Sequence, residues 1–75
     1  MTFKEFINKR ENIADRTHLE RAKNKLPKVT YQKMWFEACD EFKSGLEADL
    51  PSHQIINHAR KRANLVVSRY LNGAR

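Results

Sequence analysis

The stretch SHQIINHARKRANLVVSRYL, residues 52–71, decides the fold class of this chain. Its apolar residues recur at intervals of three and four, which predicts one long amphipathic α-helix over residues 53–71. The Asn72-Gly73 pair that follows is typical of a helix end. The apolar face of this helix consists of Ile55, Ile56, Ala59, Ala63, Val66, Val67 and Tyr70.

The segment before it predicts a second strongly amphipathic helix, over residues 30–44. Thr30 is a favourable N-cap, and Ser44-Gly45 is expected to end or loosen the helix. The apolar positions again have helical spacing, at i, i+3, i+4, i+7 and i+11, which predicts a helix with one apolar face. They are Tyr31, Met34, Trp35, Ala38 and Phe42.

Two shorter helices are predicted in the first third of the chain, over residues 3–14 and 18–26. Thr2 with Glu5, and Thr17 with Glu20, have the spacing of a capping box, and Pro27 ends the second helix. Four amphipathic helices with short connections predict an all-α fold in a single domain, residues 1–75. The expected core comprises Phe3, Phe6, Ile7, Leu19, Leu26, Trp35, Ile56 and Val66.

The length and composition exclude several classes of protein. A chain of 75 residues is too short for a multi-domain enzyme, and 40% hydrophobic residues is too many for a disordered chain. No apolar run approaches the ~20 residues of a membrane span, so we expect a cytoplasmic protein without a membrane partner. No Gly-rich phosphate loop or nucleophile motif is present, so we expect neither an enzyme nor a cofactor.

A metal site is not expected either. The single cysteine, Cys39, excludes a site with several thiolates. His53 and His58 are five residues apart, which separates them by roughly 140° around a helix. The histidines are therefore interpreted as structural or solvent-exposed side chains.

The net charge of +6 is unevenly distributed. Residues 1–28 hold eight basic and four acidic side chains, and residues 29–51 hold two basic and five acidic ones. Residues 52–75 hold five basic side chains and no acid. A basic last helix thus follows an acidic middle segment, and such a field attracts polyanions.

The polar face of the last helix predicts contact with nucleic acid. Arg and Asn side chains can bind base edges, and Lys side chains suit phosphates. The alternative is the solvated face that every amphipathic helix has. The residues expected to contact nucleic acid are Asn57, Arg60, Lys61, Asn64 and Arg69.

The acidic residues of the third helix have two interpretations. They form a solvated face that balances nearby basic residues, or a docking patch for a basic protein partner. The sequence leaves both open. The residues concerned are Glu37, Asp40, Glu41 and Glu47.

Several short motifs resemble the Hha/YmoA family in order and spacing. They are Met1-Thr2, Glu5-Phe6-Ile7, Lys9, Ile13, Leu19-Glu20-Arg21, Trp35-Phe36-Glu37-Ala38-Cys39-Asp40 and Leu50-Pro51-Ser52. The chain departs from the family after Asp40, where it lacks a His-Arg continuation. It also has a long basic helix in place of the family's short aromatic ending.

The resemblance implies a function. Members of the family are small all-helical bacterial modulators of gene expression that bind nucleoid-structuring proteins of the H-NS type. Acidic positions dock onto the basic partner, and Asp40 and Glu20 match such positions, with Glu37 beside them. We therefore expect a nucleoid-associated regulatory accessory protein that binds an H-NS-like protein, with nucleic acid contacted directly or through that partner.

Two alternatives remain open. One is a stand-alone nucleic-acid-binding protein of phage or plasmid type. The other is a protein-directed inhibitor or a homo-oligomer such as a homodimer, because small domains often gain stability by association.

Overall fold

The computed structural model describes residues 1–73, and over that range the protein is all-α, as predicted. It has four α-helices: α1 Phe3–Ile7, α2 Ile13–Lys25, α3 Lys28–Leu46 and α4 Ser52–Leu71. A 3₁₀ turn, Arg10–Asn12, joins α1 to α2. The last two residues of the predicted domain, 74 and 75, lie outside the described residues. None of the helices within residues 1–73 is long and apolar enough to cross a membrane.

The centre of the fold is the pair of long helices α3 and α4, which form the most extensive helix–helix packing in the protein. They approach closely at Gly45, where an added Cβ would lie 2.5 Å from the Cα of Ala59. Gly45 therefore does not end α3, as its sequence context predicted, and the helix continues to Leu46. The glycine is required because the backbone of α4 occupies the space of a side chain.

The short helix α1 is held by a cap and by two aromatic side chains. Thr2 and Glu5 form the predicted capping box: the Thr2 hydroxyl accepts from the Glu5 N–H and the Glu5 carboxylate accepts from the Thr2 N–H. These hydrogen bonds, chiefly the one from the Thr2 backbone, lower the pKa of Glu5. Phe3 and Phe6 are buried, each with its ring centroid 5.3 Å from that of Phe42.

The predicted helix over residues 3–14 is wrong in its extent, because the chain leaves α1 after Ile7. Later side chains satisfy the carbonyl groups that this break exposes. Asn12 Nδ2 donates to the Phe6 carbonyl at 2.7 Å. Arg16 Nη1 donates to the carbonyls of Ile7 and Lys9 at 2.6 and 2.7 Å. These bonds replace the helical ones and turn the chain into α2.

Two predicted helix starts are also wrong. The helix predicted over residues 18–26 begins at Ile13, and Thr17 lies inside it, donating its hydroxyl proton to the Ile13 carbonyl at 2.9 Å. The helix predicted over residues 30–44 begins at Lys28, directly after Pro27. Thr30 is thus in its first turn and does not cap it. Proline is well suited to the start of a helix, because the N–H groups there make no helical hydrogen bond and the one that proline lacks is not missed.

Half of the expected core is confirmed as buried: Phe3, Phe6, Leu19 and Val66. The other four residues pack against the core but remain partly exposed, namely Ile7, Leu26, Trp35 and Ile56. The core is completed by smaller or more central side chains of the two long helices and α2. These are Ala22, Met34, Ala38, Phe42, Ala59, Ala63, Val67 and Tyr70.

Candidate nucleic-acid interface

A shallow groove of about 490 Å³ runs along the outer face of α4. The apolar stripe of α4 is buried, so the opposite residues are held outward at a spacing of three and four. The lining contains two cationic side chains and no carboxylate. The lining residues are Asn57, Arg60, Lys61, Asn64, Leu65 and Ser68.

A second groove, of about 320 Å³, lies between α2 and α4. It shares Arg60 and Asn64 with the first groove, so the two form one continuous surface across both helices. From α2 it is lined by Ala14, Asp15, Thr17, His18 and Arg21. We refer to the two together as the α2/α4 face.

The carboxylate of Asp15 lies buried beneath this face, with the residue 3% exposed. Its Oδ1 accepts from Arg60 Nε at 2.9 Å and from Asn64 Nδ2 at 2.8 Å. Its Oδ2 and the Asn64 Oδ1 are buried and have no hydrogen-bond partner among residues 1–73. A buried carboxylate is costly without a positive charge beside it, and Arg60 supplies that charge. The ion pair therefore holds the Nε of Arg60 against Asp15.

Asp15 was not among the site residues predicted from the sequence, although a signal was present. It precedes Leu19 by four residues and Ala22 by seven, so all three share the buried face of α2. A carboxylate on an apolar helix stripe indicates a partner on the element that packs there.

The five residues predicted to contact nucleic acid differ in how far they are available. Asn57 and Lys61 are exposed in the groove. Arg60 is half-buried and ion-paired with Asp15, while Asn64 turns its amide toward the same carboxylate. Arg69 is exposed but lines neither groove. The structure thus places four of the five on the α2/α4 face.

A histidine and a serine border the same face. Ser68 Oγ lies 3.3 Å from His18 Nε2, a distance suitable for a hydrogen bond between α4 and α2. No group of three or more metal-ligating side chains occurs over the part of the chain that the structure describes.

The acidic residues of α3 face two different environments. Glu37 accepts a 2.6 Å hydrogen bond from the Tyr70 hydroxyl, and Glu41 Oε1 accepts from Nε and Nη2 of Arg62 at 3.0 and 2.9 Å. Asp40 is exposed and makes no hydrogen bond or ion pair within residues 1–73. Intramolecular contacts therefore occupy two of the acids and leave Asp40 available.

Asp40 lies beside apolar surface. Phe36, four residues earlier on the same side of α3, is 68% exposed, and Val29 one heptad before it is 77% exposed. Cys39 is half-buried; its burial raises the pKa of the thiol, and the charge of Asp40 raises it further. Glu20, the remaining predicted partner contact, is exposed on α2. Burial raises the pKa of Tyr31 on α3, and the charge of Glu20 raises it further.

The chain has no match among protein-family models, curated proteins or solved structures. The fold and the two surfaces define a small all-α protein with a basic α2/α4 face and a partly neutralised acidic side on α3.

Proposed function

We propose that this protein is a gene-regulatory accessory protein that contacts nucleic acid through the α2/α4 face. The observation that carries the proposal is the charge of this face. Arg21, Arg60 and Lys61 line it, and its one carboxylate, Asp15, is buried and paired. Binding of a phosphate backbone requires a cationic surface without exposed acids, and the lining of this face meets that requirement.

The shape of α4 supports the same proposal. Its 20 residues extend over about 30 Å, and a helix of ordinary width fits the major groove of B-DNA. In this proposal the exposed ammonium group of Lys61 contacts phosphates, and the exposed amide of Asn57 has donors and an acceptor for a base edge. Leu65, one turn beyond Lys61, is 62% exposed and offers an apolar contact.

The test compares two double variants with equal charge. Arg21→Ala with Lys61→Ala removes two cations from the α2/α4 face, and Lys33→Ala with Lys43→Ala removes two exposed cations from α3. Affinity for a labelled DNA duplex and an RNA duplex is measured by fluorescence anisotropy at several salt concentrations. For DNA, the first variant is expected to reduce the slope of log affinity against log salt by about 0.9 for each phosphate that is no longer neutralised.

The control variant is expected to lose only the small long-range part of the attraction. Equal losses in both double variants would show that net charge, and not this face, carries the binding. Binding of neither duplex by the unaltered protein would refute the proposed nucleic-acid contact.

A second part of the proposal concerns the α3 surface. The unpaired carboxylate of Asp40 beside the exposed ring of Phe36 favours a protein partner with basic and apolar groups. An H-NS-type nucleoid protein is the partner that the family resemblance implies. Glu20 and Glu37 are the further proposed contacts, with Glu37 also bonded to Tyr70.

Asp40→Asn tests this docking, with Asp49→Asn as the matched control, since both replace one exposed aspartate by its amide. Capture of a purified H-NS-type protein, after nuclease treatment, is expected to fall about tenfold for Asp40→Asn, the effect of one charge-assisted hydrogen bond. Asp49→Asn is expected to capture it normally. Unchanged capture by Asp40→Asn would exclude this partner surface.

A further inference from the structure

We propose that Asp15 is a positioning residue that aims the terminal nitrogens of Arg60 at a phosphate group bound on the α2/α4 face. This inference rests on the proposed nucleic-acid contact and deepens it. It names the phosphodiester backbone as the ligand of Arg60 and gives Asp15 and Asn64 a supporting role.

The Arg60 guanidinium is held at one end only. Its Nε donates to Asp15 Oδ1, at 2.9 Å, and Nη1 and Nη2 make no hydrogen bond within residues 1–73. The Arg60 side chain is 41% exposed, whereas that of Asp15 is 2% exposed. The guanidinium is therefore fixed at its inner nitrogen and presents its terminal edge, the edge that binds a phosphate with two parallel hydrogen bonds.

Arg62, on the opposite side of the same helix, is bound differently. It donates both Nε and Nη2 to Glu41 Oε1, and both side chains of that pair are 38% exposed. Arg62 thus closes an ordinary surface ion pair. Arg60 differs because its partner, Asp15, is buried and fixed. The Arg60 side chain is therefore already oriented before a ligand binds, and binding costs it less conformational entropy than it would cost a free side chain.

Asn64 supports the carboxylate from the other side. Its Nδ2 donates to the same Asp15 Oδ1, and its Oδ1 is buried. Asn64 lines both grooves, but its Nδ2 is directed at the carboxylate and its Oδ1 is buried. The role assigned to Asn64 is to hold the carboxylate in place.

The side chains that line the groove with Arg60 include two further donors, the cation of Arg21 and the imidazole of His18, and Lys61 lines the adjoining groove. The Thr17 hydroxyl donates its proton to the Ile13 carbonyl, and the Asp15 carboxylate is buried and paired. An oxyanion such as a phosphodiester accepts hydrogen bonds from Arg21, His18 and Lys61. A phosphodiester is therefore the ligand that this set favours.

The opposite interpretation is that Asp15 neutralises Arg60 and so opposes binding. The two interpretations predict opposite signs. Asp15→Asn and Glu41→Gln each replace the carboxylate that pairs with an arginine of α4 by an amide of the same shape. Each variant also raises the net charge of +6 by one unit. Long-range attraction alone therefore makes both variants bind nucleic acid slightly more tightly.

The experiment measures the affinity of these two variants for a DNA duplex and for a single-stranded oligonucleotide. If Asp15 positions Arg60, Asp15→Asn is expected to bind about tenfold more weakly than the unaltered protein, the effect of one charge-assisted hydrogen bond. Glu41→Gln is expected to bind equally or slightly more tightly. An Asp15→Asn protein that binds as tightly as Glu41→Gln, or more tightly, overturns the proposal.

Arg60→Lys and Arg62→Lys provide a second matched pair that keeps every charge. A lysine has one terminal amine, so it cannot both donate to Asp15 and present a planar pair of donors to a phosphate. Arg60→Lys is therefore expected to bind nucleic acid about tenfold more weakly, and Arg62→Lys is expected to bind it as the unaltered protein does. Asp15→Asn in the Arg60→Lys background is expected to cause no further loss. A full second loss would show that Asp15 acts on the fold and not through Arg60.

Inorganic phosphate separates this proposal from the proposed function. Nitrogen NMR of the arginine side chains reports whether phosphate shifts the Arg60 guanidinium signals, with Arg62 as internal reference. A response in the unaltered protein that disappears in Asp15→Asn supports the positioning role even if neither nucleic acid binds. No response to phosphate and no loss of nucleic-acid affinity in Asp15→Asn together refute it.

Discussion

The two flanks of α4 are built in different ways. Toward α3, the backbones approach closely at Gly45 and Ala59, and surface acids accept hydrogen bonds from Arg62 and Tyr70. Toward α2, a buried carboxylate holds the inner end of Arg60. The α3 flank satisfies its polar groups within the protein, whereas the α2 flank leaves donors pointing outward. Under the proposed function, the α2 flank carries the binding and the α3 flank contributes mainly to stability.

The largest effect is expected from a change that breaks the α3 flank. In Gly45→Val the new Cβ would lie 2.5 Å from the Cα of Ala59, which is too close for two carbon atoms. Because the contact is with backbone, it cannot be relieved by moving a flexible side chain. We expect the free energy of unfolding to fall by about 3 kcal/mol, the upper range for overpacking. Urea unfolding followed by circular dichroism measures it.

Ser44→Val is the control, because it puts the same β-branched residue at an exposed neighbouring position of α3. It is expected to cost about 0.5 kcal/mol or less, the propensity difference alone. Similar losses for the two variants would mean that the close approach at Gly45 contributes little.

The next effect is expected from a change that breaks the α2 flank. Asp15→Ala removes the acceptor of the Asn64 amide and of Arg60, and we expect a loss of about 2 kcal/mol for a buried donor left unpaired. Arg60 adds little to this cost because its outer end already reaches water. Asp49→Ala, at an exposed acid, has the same change of charge and is expected to stay within about 0.5 kcal/mol. Equal stability of the two variants would contradict the buried network.

The helices that support this comparison were largely predictable from sequence. The apolar stripes of α3 and α4 determine which face is buried, and burial of a wide stripe dominates their stability, so type and approximate extent followed from the spacing. The Thr2–Glu5 cap is local and was also predictable. The break after Ile7 was not, because Asn12 and Arg16 supply the hydrogen bonds that stabilise it from further along the chain.

The candidate site was predictable only in part, for a related reason. Asn57 and Lys61 lie opposite the apolar stripe, so their exposure follows from the same periodicity. The orientation of Arg60 depends on Asp15, 45 residues away in sequence. No periodicity within α4 contains that information, since it requires knowing how α2 packs against α4.

A smaller effect is expected from Tyr70→Phe, which removes the hydroxyl that donates to Glu37. Tyr70 is buried but the Glu37 carboxylate is exposed and can return to water, so the expected loss is about 1 kcal/mol. Tyr31→Phe is the matched control, because its hydroxyl makes no hydrogen bond within the described range. Thermal unfolding of both variants gives the difference, and no difference would mean that this bond does not stabilise the α3 flank.

The smallest effect is expected from Glu41→Gln. The Glu41–Arg62 pair is more than a third exposed on both sides, so water and salt screen it, and its loss is expected to cost about 0.5 kcal/mol or less. The difference from the unaltered protein should shrink further at high salt. A loss comparable with that of Asp15→Ala would abolish the distinction between the two flanks.

The placement of Cys39 has a consequence for the motions of the N-terminal segment. Cys39 lines a cavity together with residues 1–3, and the raised pKa keeps its sulfur protonated and slow to react at neutral pH. Helix α1 has only five residues, so it can detach without the long helices separating. Because Cys39 is half-buried, detachment of α1 adds to an exposure that the residue already has, and it is expected to speed alkylation of the thiol.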